Sequence, residues 1–284
     1  MADARGATAA TPNVQGPPDE TKYRELDEDT IVFDRPFLRG IIPLGGRSTA
    51  IRLSPSESNS KNNRVLVLAS TPCSDSTAEK VRQLGEVKYL IGADAVHWLY
   101  LHEWKKQFKD AKVIGVRALE SESKGPAKTG VEFSYVYGAK QGDTRTNPLD
   151  EVKDELSVEY FDGFLNKDLA LFHKKTGTLI QADLMFNLPA TEQYAGTGLS
   201  AGFYGLARFM GAWSGFQRLI IRFLVKDKAS FSASAQTVAS WDIKRIIPCH
   251  GNVIDVRARE AWLSLHRKYI DRSKLDLPGG QAKL

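Results

Sequence analysis

RVLVLASTPCSDSTAEKVRQLGEVKYLIGADAVHWLYLHEWKKQFKDAKVIGV, residues 64–116, decides the fold class. Three short runs in it are almost wholly apolar: RVLVLA at 64–69, VKYLIG at 87–92 and KVIGV at 112–116. A strand with one wet face alternates polar and apolar residues, whereas a strand lacking a polar face is buried on both sides. Between the first two runs, residues 74–84 read as a helix, with Ser74 or Asp75 placed to cap it and Gly85 to stop it. Residues 95–108 read as a second helix. Strand and helix alternate throughout, the pattern of an α/β layered sheet.

Upstream, short strands are expected at 31–33 and 50–53 around Gly45-Gly46, followed by a polar loop, SPSESNSKNN, at 54–63. Downstream, 119–157 is polar and weakly periodic, with one strand candidate at 131–137. Residues 158–161 and 168–173 read as strands, KKTG at 174–177 as a turn, and TLIQA at 178–182 as the returning strand. Residues 188–228 are rich in glycine, alanine and aromatics and turn helical toward their end. A helix at 230–240, a last strand at 243–248 (IKRIIP) and a helix at 258–270 complete the chain. Residues 1–28 have almost nothing to bury and read as a disordered tail before one domain, 29–284.

The chain has 284 residues, 42% of them hydrophobic and 26% charged, enough to bury a sizeable core and too apolar for wholesale disorder. The net charge, 39 − 34 = +5, is mild, and the basic residues are scattered among acidic ones. A nucleic-acid enzyme therefore ranks below other readings. Two cysteines, Cys73 and Cys249, cannot build a disulfide framework or a four-thiolate zinc site. They fit a reducing compartment, and a cytoplasmic location is expected. No run reaches the ~18 apolar residues of a membrane span.

Chemistry is expected where apolar strands end, because loops converge there in layered α/β sheets. The strand at 87–92 is followed by Asp94 and His97, that at 178–182 by Asp183, and that at 243–248 by Cys249, His250 and Gly251. Imidazole and carboxylate together suit zinc, manganese or iron. On a helix, His97 shares a face with Leu101, Trp104 and Phe108 and so points inward, with Asp94 on the same edge. The alternative is a core histidine satisfied by packing. Asp183 lies in an apolar segment, where a carboxylate needs a cation or several donors, unless it caps backbone amides of the next loop. His250 is either a ligand or a loop histidine bonded to backbone. His102 sits on another side of the helix, and Cys249 lacks a base aimed at it. His173 should lie opposite Thr178 at the hairpin turn, roughly 17 Å from Asp183 at ~3.3 Å per residue. Pairing brings Asn166, Lys167 and Asp168 near Asp183 instead, and an inward Lys167 would replace a second cation.

GGRSTAIRL, LASTP, VKYLIGADAVHWLYLHEWKK, AKVIGV, LIQADLMFNLPATEQY and WDIKRIIPCHGNVID together resemble a divergent, mainly fungal branch of the metallo-β-lactamase-like superfamily, a group defined by a domain of unknown function. The similarity runs from about Asp29 to Tyr269. It implies a four-layer αββα sandwich, here with a helical insertion at about 188–228, and a site at one edge of the two sheets. The superfamily's first motif, His-x-His-x-Asp-His, is reduced here to GADAVHW, with His97 and Asp94 present and Trp98 where the branch often has a second histidine. GFLNKD, 163–168, lacks the third-motif histidine, while the bridging-aspartate position Asp183 and the last histidine position His250 are kept. The resemblance thus implies a hydrolase of an ester, lactone, thioester or amide that holds one divalent metal, zinc before manganese or iron. His97, Asp183 and His250 would be its ligands, Asp94 a ligand or general base, and Asp94 and Asp183 the catalytic carboxylates. The aromatic 188–228 segment suits a small apolar or aromatic substrate. The alternative is a binding or scaffold protein that kept the fold and lost the chemistry.

Overall fold

The computed structural model describes residues 21–40, 42–55, 62–120, 126–201 and 209–275. Its strands in chain order are β1 (Lys22–Asp27), β2 (Thr30–Arg35), β3 (Leu38–Arg39), β4 (Ile42–Pro43), β5 (Gly46–Leu53), β6 (Arg64–Leu68), β7 (Glu86–Ile91), β8 (Lys112–Val116), β9 (Tyr135–Tyr137), β10 (Leu156–Tyr160), β11 (Leu169–His173), β12 (Thr178–Gln181) and β13 (Arg245–Pro248). The helices are α1 (Asp75–Arg82), α2 (Leu101–Gln107), α3 (Pro126–Thr129), α4 (Gly215–Leu224), α5 (Lys228–Ser240) and α6 (Ala258–Leu265).

The apolar runs of 64–116 are β6, β7 and β8, parallel neighbours in a seven-stranded sheet of order β1-β2-β5-β6-β7-β8-β9. A second sheet, β10-β11-β12-β13, is antiparallel except where β12 meets β13. Period-two alternation along the second sheet separates its faces. Leu169, Leu171, Ile180 and Ile247 join the core formed with the first sheet, including Val32, Ile51 and Leu66. Ala170, Phe172, Leu179 and Ile246 face the other way, into a second core with Ile221 of α4, Phe231 of α5 and Trp262 of α6. On the first sheet's far side, α1 buries Ala78 and Val81, and α2 buries Leu101 and Trp104. The layers are therefore helix, sheet, sheet, helix.

Several expected boundaries move. The tail was expected to reach residue 28, but Lys22–Asp27 is a paired edge strand, in register from Lys22↔Asp34 to Asp27↔Thr30. Its side chains are mostly charged, and they find partners across the chain: Arg24 meets Asp34 at 2.9 Å and Glu192 at 2.6 Å. Residues 1–20 lie outside the described residues, as does most of the expected loop at 54–63. The helix expected over 95–108 begins only at Leu101. The 131–137 strand shrinks to Tyr135–Tyr137. Within 188–228 the described helix is Gly215–Leu224, and 188–201 runs mainly as turns.

Candidate metal centre

Three loops carry the site, one following a strand of the first sheet and two following strands of the second. After β7, Asp94 Oδ1 accepts from the amides of Val96 (2.7 Å) and His97 (2.8 Å). This local turn satisfies the amides without a helix, which is why α2 starts late. Asp94 Oδ2 accepts from His97 Nδ1 at 2.7 Å. Both oxygens are thus engaged in hydrogen bonds, the carboxylate is fully buried, and Oδ2 fixes the orientation of the His97 ring.

After β12, Gln181 folds the chain back by accepting from the Met185 amide (3.1 Å) and donating to its carbonyl (2.8 Å). Within that loop the Asp183 amide donates to Asp168 Oδ1 at 2.8 Å, and Asp183 Oδ2 accepts from Asn166 Nδ2 at 2.5 Å. Asp183 Oδ1 is buried with no hydrogen-bond partner.

After β13, His250 Nδ1 donates to the Gly45 carbonyl at 2.6 Å, and its ring lies between Phe37 and Phe186, both stacked on it. Arg47, completely buried, holds this loop by donating to the carbonyls of Pro248 (3.0 Å) and Gly251 (2.7 Å). Gln193 donates to the Cys249 carbonyl and accepts from the Gly251 amide, each at 2.8 Å. Gly251 turns at φ +95°, and a Cβ there would sit 2.2 Å from the Asn187 carbonyl oxygen, so the turn needs glycine.

His97, Asp183 and His250 converge, with one ligand atom from each within 4.8 Å of the others. His97 Nε2 lies 3.1 Å from His250 Nε2, and Asp183 Oδ1 lies 4.0 Å and 3.6 Å from those two nitrogens. Each Nδ1 faces an acceptor and therefore carries a proton, so that each ring in its neutral form has its lone pair on Nε2. Two imidazole lone pairs and an unpartnered carboxylate oxygen so point at one buried spot. Ligands ~2.1 Å from a tetrahedral ion lie about 3.4 Å apart, close to the separations here.

The electrostatics reflect that crowding. Burial disfavours a charged His97, but the Asp94 and Asp183 carboxylates outweigh it and raise the ring to about 9. Burial and the His97 charge push His250 down to about 3. Burial raises Asp183 to about 6 against the pull of His97. Burial, with the charges of Asp94 and Asp183, drives Asp168 well above the usual carboxylate range.

Other candidates stand apart. His173 pairs with Thr178 in register and bonds Thr176 Oγ1 at 2.9 Å. His102 is exposed on α2, and His266 is buried against Trp262 and Phe231. The Cys249 thiol is raised by burial. Lys167 turns outward to Asp162, so it supplies no second cation; Asn166 faces Asp183 instead. Sequence reasoning missed Arg47, Gln193, Phe37 and Phe186, whose partners lie far away in the chain. A charged residue inside the otherwise buried strand β5 was the one available signal for Arg47.

No protein-family model matches the sequence, and comparison with curated proteins finds no match. Solved structures do match. The DIM-1 metallo-beta-lactamase exposed to ceftazidime aligns with TM-score 0.51 and 14% identity, covering 88% of this chain and 97% of that one. The metallo-beta-lactamase from Erythrobacter litoralis, with beta mercaptoethanol in its active site, gives 0.52 and 14%, covering 88% and 97%. The metal-soaked Flv1 flavodiiron core from Synechocystis gives 0.57 and 17%, covering 88% of this chain and 60% of that one. The chain has the metallo-β-lactamase fold.

Proposed function

We propose that this chain is a metal-dependent hydrolase with a reduced site that holds one divalent ion through His97 Nε2, His250 Nε2 and Asp183 Oδ1. The convergence of two imidazole lone pairs and an unpartnered carboxylate oxygen, 3.1–4.0 Å apart, carries the reading. Two imidazoles and a carboxylate suit zinc first, then manganese or iron. Three protein ligands leave a fourth position open for water or substrate. A bound divalent ion supplies Lewis acidity toward water and a carbonyl oxygen.

The protein's own groups do the rest. Asp94 and the Gly45 carbonyl fix both rings in the tautomer that presents Nε2. Asn166 engages Asp183 Oδ2, so the oxygen that a second ion would need is occupied. Phe37 and Phe186, both stacked on His250, supply apolar surface, which favours an apolar or aromatic ester, lactone, thioester or amide. The quoted motifs point to the mainly fungal branch of the superfamily, and the free, buried Cys73 and Cys249 suit a reducing, cytoplasmic setting.

A second reading, a binding protein without catalysis, is favoured by one observation: a proton on His97 would bridge to His250 as an ion would. A panel of aryl esters, lactones, thioesters and amides separates the two readings. The expected result is turnover that chelators abolish and that Asp183→Ala lowers at least 100-fold. Metal-loaded protein that turns over no member of the panel would support the second reading.

A further inference from the structure

Away from the metal centre, α4 and the chain after α6 form a cleft of about 220 Å³. Arg218, Arg222, Arg267 and Lys268 line it, and no carboxylate does. Among the described residues none of these four has an ion-pair partner; Arg218 donates only to the Trp213 carbonyl, at 3.1 Å. Four unneutralised cations around one depression repel each other and select an anionic occupant. The same helix exposes apolar surface: Leu219 is 47% and Phe223 67% exposed, and Trp213, just before the helix, is 43% exposed. Leu219 and Phe223 are four residues apart and share a stripe, and Arg218 and Arg222 form the stripe beside it. The opposite side is anchored by buried Gln217 and Ile221.

We infer that this surface docks the protein on anionic phospholipid membranes, with Leu219 and Phe223 entering the headgroup boundary and the four cations contacting lipid phosphates and carboxylates. A helix that sets an apolar stripe beside a basic one is built to lie in that interface. A soluble phosphate would satisfy the cations and leave the exposed leucine and phenylalanine unexplained. A nucleic acid calls for a basic track along its backbone, whereas these cations are gathered at one cleft.

The test is co-sedimentation at 0.1 M salt with phosphatidylcholine vesicles containing 30% phosphatidylserine, against phosphatidylcholine alone. Binding to the anionic vesicles alone is expected, weakening as salt rises. Each basic residue at such a surface is worth roughly fivefold in partitioning, so Arg222→Ala with Arg267→Ala should lower it roughly 25-fold. Leu219→Ser with Phe223→Ser should lower it roughly tenfold or more, because both side chains leave the apolar boundary. All four positions are at the surface or line the cleft, so thermal melting should report intact folds. The inference is overturned by equal sedimentation with neutral vesicles, by no sedimentation at low salt, or by partitioning that both double variants leave unchanged. It is equally overturned if millimolar inorganic phosphate abolishes vesicle binding, or if a single-stranded RNA oligomer binds more tightly than the vesicles at the same salt.

Discussion

Asp94 commits both oxygens to residues 96 and 97, and in the proposed site it would act by orienting the His97 ring. Removing one such outer partner typically weakens metal binding 10–100-fold, so Asp94→Asn should raise the zinc dissociation constant by about that factor without loss of fold. Isothermal titration measures it; unchanged affinity would show that His97 needs no orienter. Arg47 has a different task. It pairs with Asp34 at 2.6 Å and Glu192 at 2.7 Å while holding the His250 loop by two carbonyls. Breaking a buried ion pair costs roughly 3–5 kcal/mol, and Arg47→Met should lose that much in urea unfolding. The sequence showed that His97, Asp183 and His250 each follow a buried strand, and the folded chain brings those strand ends together. It could not show Arg47's partners, which come from β2 and from segments more than 140 residues further on.

Among the elements, the parallel strands were legible because an uninterrupted apolar run has few other ways to be buried. Edge strand β1 was not: KYRELD offers no continuous apolar face, and pairing with β2 together with ion pairs from Arg24 to Asp34 and Glu192, Glu25 to Lys80 and Asp27 to Arg245 hold it in place. The helix read over 95–108 was too long because the Asp94 side chain competes for the amides that a helix start would use. His97 does point inward, but from a loop. Deleting residues 1–27 removes β1 and exposes the edge of β2. A loss of at least 2 kcal/mol, hence a fall of roughly 4 °C or more in melting temperature, is expected for a chain of this size. A change below one degree would mean that β1 adds nothing to stability.

At the scale of the whole molecule, stability depends on pH through buried groups that pull in opposite senses, and His266 is the clearest one that destabilises the fold in mild acid. Its ring is buried against Trp262 and Phe231 with neither nitrogen bonded, and burial pushes it down to about 3. The unfolded chain takes up that proton near pH 6.5, so the stabilising contribution is complete above 6.5 and is lost as the pH falls toward 3, at about 1.4 kcal/mol per unit. His250 adds in the same direction, whereas Asp168 and Asp183, which burial raises, take up protons first in the folded chain and oppose it. His266→Phe should flatten the fall in urea stability between pH 6.5 and 5, and an unchanged slope would argue against the assignment. The proposed metal site should behave oppositely. His97, raised to about 9, holds a proton that an ion must displace, so metal affinity should climb as the pH rises toward 9. Elemental analysis of protein loaded with zinc and then desalted tests the central claim most directly. One divalent ion per chain is predicted, lost in Asp183→Ala and in His250→Ala. Two ions per chain, or none after incubation with zinc and with manganese, would contradict it.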